Sequence, residues 1–301
     1  MIDDARRALF EGLVDYAGLF PPAGLGMADS IARYDEYRRG EHRWALGKFV
    51  LPVARLDEFE RGAQTVQGGV SAWQLALVAG ADFGADVHAI EAFARRAAQR
   101  AGVGAIEVRA STADQIDAIA AGAARLRADV PDVFDVYVEV PLSPDPSAML
   151  RAIGAKGLRA KVRTGGVEAG AFPGARSLAG FIVLCAAHGV TFKATAGLHH
   201  ALRGSYPFTY DRASGRGTMF GFLNVFVAAL FARDGLDVGG VQALLEERDA
   251  AHITFDRAGV TWRGRTLPAE AIRAARAQTA TSFGSCSFDE PLSDLSTLGL
   301  L

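Results

Sequence analysis

The 301 residues, half of them apolar, are enough to bury a large core, in the range that suits one α/β barrel or two smaller domains. A formal net charge of −2, with both signs interspersed, leaves no basic face for nucleic acid and no polybasic patch for a membrane surface. Two cysteines far apart in the chain, Cys185 and Cys286, exclude a Cys-rich zinc site and fit a reducing compartment without a disulfide.

The opening "MIDDARRALFEGLVDYAGLF" carries acids where a secretory leader carries bases, which points to a cytoplasmic protein. Residues 2–38 read as an N-terminal helical cap. Inside it, "DYAGLFPPAGLGMADS" holds a stiff Pro-Pro segment suited to bracing a loop over a site, with Asp15 and Tyr16 as its polar members. From residue 44 onward, β-type runs at 44–53, 72–80, 105–110, 135–141, 158–164 and 190–196 alternate with helical patterns such as "DVHAIEAFARRAAQRAG", several closed by glycine. Strand, helix, strand in this rhythm means βαβ units and a parallel sheet. After residue 197 the rhythm breaks into the polar, Gly-rich "GLHHALRGSYPFTYDRASGRGTM". Then come the apolar helices "FGFLNVFVAALFARDG" and "VGGVQALLEERDA", a small hairpin "HITFDRAGVTWRG", a helix "PAEAIRAARAQT" and a last strand "TSFGSCSF". The apolar run "FGFLNVFVAALFA" is about thirteen residues, where a membrane span needs roughly 20.

The fold expected is α/β, a (β/α)8 TIM-like barrel forming one domain over 1–301. It carries the N-terminal cap, is distorted in its last third, and has 198–250 as a loop and helical insertion over the barrel mouth. An open doubly wound sheet is the alternative, but no G-x-G-x-x-G follows the first strand.

Alternation along each strand divides its side chains into two faces. Arg159, Lys161 and Arg163 oppose Leu158, Ala160 and Val162; Thr191, Lys193 and Thr195 oppose Phe192 and Ala194. Tyr137 and Glu139 oppose Val136, Val138 and Val140, and Glu107 and Arg109 oppose Ile106 and Val108. In a barrel the apolar set packs under the outer helices and the other set points inward, where charge is tolerated only if paired with other charge or with a ligand. A purely structural interior would be filled with branched aliphatics. Arg109, Arg159, Arg163, Lys161 and Lys193 outnumber Glu107 and Glu139, so the site expected at the mouth attracts an anion such as a carboxylate, phosphate or enolate. Tyr137, Thr195, Arg203 in the following loop and Ser285 on the last strand join these as substrate-contact candidates, Ser285 because strand-end hydroxyls and amides bind phosphate in barrels.

The chain has only four lysines among 32 basic residues, and two of them, Lys161 and Lys193, end consecutive strands before small-residue turns, "KVRTGG" and "KATAG". On neighbouring strands about 4.8 Å apart, two ammonium groups share one region; like charge and burial would lower a lysine pKa toward the free amine that imine chemistry needs. Arginine cannot serve that purpose. These two segments resemble the strand-end lysine motifs of Schiff-base barrel aldolases of the deoxyribose-phosphate aldolase type, over about 40 residues. The resemblance implies carbon–carbon bond cleavage or formation through an imine, with Lys161 or Lys193 as nucleophile and the other lowering its pKa. "LHHALRG" and "SFGSCSFDEP" have no counterpart in that pattern, and its acidic strand position is matched only loosely, by Glu107 or Glu139.

His199 and His200 follow the last of these strands and read as a general acid or base, as one ligand of a metal, or as a plain polar loop. No H-x-x-x-H or H-E-x-x-H spacing occurs. Three functions therefore stand side by side. The first is a lyase or aldolase using Lys161, Lys193, His199, His200 and Glu139 on a small anionic carbonyl or hydroxy acid, with 198–218 as a lid and no cofactor. The second is a divalent-metal lyase or hydrolase using Glu107, Glu139 and His199 or His200. The third is a non-catalytic anion-binding or scaffold protein. The partner expected is a small anionic metabolite, not nucleic acid or a membrane, and self-association into a homo-oligomer is left open.

Overall fold

The structure is a computed structural model and describes residues 4–66, 72–97, 99–130, 134–143 and 145–301. Its elements run α1 (Asp4–Phe10), β1 (Val14–Tyr16), α2 (Met27–Arg39), β2 (Leu46–Pro52), α3 (Leu56–Ala63), β3 (Trp73–Val78), α4 (Phe83–Ala97), β4 (Ala101–Arg109), α5 (Ala113–Asp129) and β5 (Asp135–Glu139). Then follow α6 (Ser147–Ala155), β6 (Arg159–Arg163), α7 (Ala175–His188), β7 (Phe192–Thr195), β8 (Gly204–Pro207), β9 (Arg216–Met219), α8 (Phe222–Arg233) and α9 (Val238–Leu245). The chain ends with β10 (Ile253–Asp256), β11 (Gly259–Trp262), β12 (Arg265–Leu267), α10 (Ala269–Gln278), β13 (Ala280–Ser285) and α11 (Asp289–Thr297).

Strands β1 to β7 and β13 close into one parallel barrel, with β13 pairing β7 on one side and β1 on the other. The expected (β/α)8 barrel is therefore present, and it is closed through its last third. Period-two alternation explains why. Phe49, Leu51, Leu75, Leu77, Ile106, Val108, Val136, Val138, Ala160, Val162, Phe192 and Ala194 are buried on the outer face of the strands in one continuous core with the helices. Each Val, Leu, Ile or Phe among them contributes about 1.5–3 kcal/mol on removal from water. Near β1 to β3 the outer face is aromatic: Tyr34 of α2 packs against Phe49 and Trp73, with ring centroids 5.3 Å apart in both pairs.

Three expectations are corrected. The first stave, β1, lies inside the segment 2–38 expected to be a helical cap; at three residues it is too short to register as a periodic pattern. The segment 198–250 is not one insertion over the mouth. Its first part forms the antiparallel hairpin β8–β9, but α8 takes its place in the outer helical layer, packed against α7, α10 and β13, with α9 outside it. The composition of α8 dictates this, since it is apolar on every side and every residue from Phe222 to Ala232 is buried. The hairpin expected at 252–264 gains a third strand, β12, and this small sheet packs on α1 and α10. Finally, Ala169–His188 is 20 residues long with mean hydropathy 1.4, enough by length and composition to cross a bilayer. It is broken before α7 at Pro173-Gly174, and Leu178, Phe181, Ile182 and Cys185 are buried in the core, Phe181 against Phe192 of β7.

Candidate active site at the barrel mouth

The inward faces carry the charge that the sequence places there. On parallel strands β6 and β7 the register sets Lys161 directly beside Lys193, and across β5 it sets Glu139 beside Lys161. A chain of alternating charge runs through the barrel. Lys193 Nζ donates to Asp15 Oδ2 at 2.7 Å and to Glu107 Oε1 at 2.5 Å. The other oxygen of Glu107 lies 2.7 Å from Lys161 Nζ, which in turn is 2.8 Å from Glu139 Oε2. Arg109 and Arg163 reach the remaining Glu139 oxygen, each at 3.5 Å. At the cavity itself, two carboxylates, Glu107 and Glu139, thus face three cations, Lys161, Arg109 and Arg163.

This interleaving overturns the expectation of a lowered amine pKa for Lys193. Burial disfavours the charge on Lys193, but Asp15 and Glu107 outweigh it and hold the amine protonated well above the ordinary lysine range. Burial likewise pushes Glu107 up, and the two lysines overcome it, bringing the carboxyl down to about 2. Asp15 is lowered in the same way, against burial, by Lys193 and Lys48, and it also accepts from Ser282 Oγ at 2.7 Å and from the Lys48 backbone at 2.7 Å. Glu139 is held below its usual range by Lys161, Arg163 and Arg109, again against burial. Its Oε2 nevertheless has no hydrogen bond of good geometry, so the contact to Lys161 is an ion pair without directional satisfaction.

Above this chain lies a cavity of about 260 Å³ at the C-terminal ends of the strands, lined by Lys161, Glu107, Arg109, Arg163, Thr195 and His199 among others. Ala17, Phe20 and Pro21 of the segment after β1, with Val50 and Val78, form its apolar wall. Lys193 lies below the cavity and does not line it; its side chain is 1% exposed and that of Lys161 is 7%. Of the two lysines, Lys161 alone faces the open space.

The turn after β7 brings His199 over this space. Ala196 and Gly197 are both left-handed, at φ 62° and 75°. A side chain on Gly197 would press on the backbone of Gly165, and the Ala196 carbonyl is held by Thr164 Oγ1 at 2.6 Å. The adjacent histidines then part company, because Glu290 and Asp294 stand one turn apart on α11 and each takes one of them. Nδ1 of His199 is 3.1 Å from Glu290 Oε2; that of His200 is 3.2 Å from Asp294 Oδ2, and the His200 ring stacks on Tyr206 with centroids 3.6 Å apart. Sequence separations of 91 and 94 residues hide these partners from any local pattern.

Several candidates are placed away from the cavity. Arg159 stands at the opposite, N-terminal end of β6, paired with Asp135 at 2.7 Å and donating to the Tyr137 hydroxyl at 3.2 Å. Tyr137 is bonded to Thr281 at 2.9 Å and forms part of the floor under Lys193. His200 and Arg203 are held outside, Arg203 over the Phe220 ring. Ser285 faces the other way from the cavity, because Gly284 and Cys286 are the alternating inward positions; its hydroxyl accepts from the Ser287 backbone. Cys286 is thus a cavity residue absent from the candidates that strand alternation supplied. The amide of Asn224 is fully used by Arg203, Leu244 and Glu247 backbone groups and is structural. Nor are Glu107, Glu139 and a histidine brought together for a divalent metal: lysine ammonium groups fill the space between the carboxylates, and His199 turns to Glu290. Among the described residues no group of three His, Cys, Asp or Glu side chains is arranged to hold a metal ion.

No protein-family model, no curated protein and no solved structure matches the chain.

Proposed function

We propose that the chain is a carbon–carbon lyase of aldolase type that holds a small anionic carbonyl or hydroxy-acid substrate as an imine on Lys161. The observation that carries this reading is the position of Lys161, whose amine faces the cavity between two carboxylates while Lys193 is locked beneath it in the ion-pair chain. Arg109 and Arg163 at the rim receive the substrate anion. The same two arginines also help keep Glu139 ionised and a weak base. A bound carboxylate draws them away, which raises the basicity of Glu139 where its Oε2 lies 2.8 Å from the Lys161 ammonium.

Glu139 then takes a proton from Lys161, and the free amine adds to the carbonyl carbon. The carbinolamine hydroxyl leaves as water, with the proton returned by Glu139, so that the carbon–nitrogen double bond replaces carbon–oxygen with no change in redox state. Lys193 remains charged throughout and stabilises Glu107, whose second oxygen orients the Lys161 nitrogen. The apolar wall of Ala17, Phe20, Val50 and Val78 excludes water from the imine.

Borohydride reduction in the presence of pyruvate and a panel of small keto acids and aldehydes, followed by intact-mass and peptide mapping, tests the reading. A covalent adduct on Lys161, lost in Lys161→Met, is expected. No adduct with any member of the panel, or an adduct retained in Lys161→Met, overturns it.

A further inference from the structure

Beside Lys161, the cavity holds a second reactive cluster. Cys286 Sγ lies 3.9 Å from His199 Nδ1 and 3.4 Å from the Tyr210 hydroxyl, and that hydroxyl donates to Glu290 Oε2 at 2.9 Å, the oxygen that also faces His199. Thiol, imidazole, phenol and carboxylate come from four places in the chain: the end of β13, the turn after β7, the tip of the β8–β9 hairpin and the start of α11. Cys286 and His199 both line the cavity, whereas Cys185 is wholly buried among core helices.

We propose that Cys286 and His199 form the proton-transfer pair of this site, Cys286 exchanging a proton with the substrate and His199 stabilising its thiolate, with Glu290 as the residue that positions the imidazole. The proposal rests on the imine reading of Lys161. In the cleavage direction the Cys286 thiolate takes the proton of a β-hydroxyl; the oxygen electrons form the new carbonyl, the carbon–carbon bond breaks, and its electron pair neutralises the iminium as an enamine. Cys286 then returns the proton to the enamine carbon, the iminium re-forms, and water releases the ketone and the Lys161 ammonium. One proton travels out and back, and no oxidant is needed.

The surroundings favour this division of labour. Burial lowers His199, but the Cys286 sulfur and the Glu290 carboxylate outweigh it and push the imidazole up to about 9, so it is charged at neutrality. An imidazolium next to a thiol is the setting that makes cysteine nucleophilic and basic near neutral pH. The tip of the hairpin closes the arrangement: Tyr210 is 54% exposed as a residue, yet its hydroxyl reaches in to both Cys286 and Glu290.

Two measurements on the full chain separate this proposal from the imine reading. The first follows deuterium entry into the methyl group of pyruvate in D2O by proton NMR, alongside borohydride trapping. Cys286→Ser and Cys286→Ala are expected to keep the Lys161 adduct but slow exchange by about a hundredfold. An adduct with exchange unchanged in both variants overturns the proposal. The second measures the rate of iodoacetamide alkylation of Cys286 at neutral pH. The rate is expected to fall about tenfold in His199→Asn and by less in Glu290→Gln. Equal rates in wild type and His199→Asn overturn the pair. Should pyruvate form no adduct while the alkylation rate still depends on His199, the Lys161 reading falls and the thiolate–imidazolium pair stands.

Discussion

The floor and the mouth of the barrel are built from the same residue types, yet they are finished differently. Along the floor Arg159 is answered by Asp135 and Tyr137, Tyr137 by Thr281, and Asp15 by Lys193, Ser282 and a backbone amide, while Nε and Nη1 of Arg276, beside Asp15 and Tyr137, are buried without a hydrogen bond. At the mouth the answers are incomplete. Glu139 Oε2 lacks a well-formed hydrogen bond, and Arg109 and Arg163 hold Glu139 at 3.5 Å with side chains 76% and 45% exposed. A closed network stabilises a fold; an open one of mixed sign, set in a cavity, is poised for a ligand. Inward charge in a barrel therefore does not by itself mark a site, and what separates the two ends is the cavity at the mouth with exposed arginines over Glu139.

The largest effect that could break this contrast is at Lys193. Lys193→Met leaves Asp15 and Glu107 buried beside each other without their shared cation, and a loss of about 3–5 kcal/mol in urea unfolding at neutral pH is expected. A loss below about 1 kcal/mol would mean the chain of charge is not the keystone drawn above. Acid should act through the same residues. Glu107 is lowered to about 2 from its usual 4.5, so its contribution is present above the ordinary carboxylate range and is lost as pH falls from about 5 toward 2. Urea midpoints across that range should fall steeply in wild type.

His199 works in the opposite sense. Its folded value near 9 lies above the usual 6.5, so its contribution is complete below pH 6.5 and disappears as pH rises through about 9. Wild type should lose about 3 kcal/mol across that window, and His199→Asn should flatten the curve; parallel curves would mean that the imidazole is not charged in the folded protein.

Smaller effects sharpen the contrast between the ends. Arg163→Gln should change stability by less than about 0.5 kcal/mol, because the pair it breaks is exposed, yet weaken calorimetric binding of a small keto acid by about tenfold or more, since one charge-assisted contact is lost. Tyr137→Phe should do the reverse, costing about 1 kcal/mol of stability through the lost hydroxyl bonds and leaving that affinity unchanged. If the two variants behave alike, floor and mouth are not functionally distinct.

The division of each strand into an oily and a charged face was legible in the sequence because side-chain alternation is a local property of extended chain, and with it came the barrel, the pairing of Lys161 with Lys193 and the inward direction of Glu107, Glu139, Arg109 and Arg163. Helix α8 was readable as a helix, but not its place, since a helix apolar on every side does not reveal which neighbours cover it. Strand β1 was hidden by its brevity, so Asp15 could be named from the sequence as a polar residue near the site but not as part of a barrel strand.

What tertiary structure alone decided is height and partnership. Alternation assigns a side chain to the lumen without saying at which end it sits, so Arg159 and Tyr137 read like Arg163 and Glu139 until register and closure placed them on the floor. Partnership is equally non-local: Asp15, Glu107 and Lys193 meet from β1, β4 and β7, and Cys286, His199 and Glu290 meet from segments about 90 residues apart. The sign of a pKa shift depends on those encounters through the inverse distance between charges. Strand alternation could therefore put two lysines side by side, while only the closed barrel could interpose the carboxylates that keep Lys193 protonated and leave Lys161 facing the cavity.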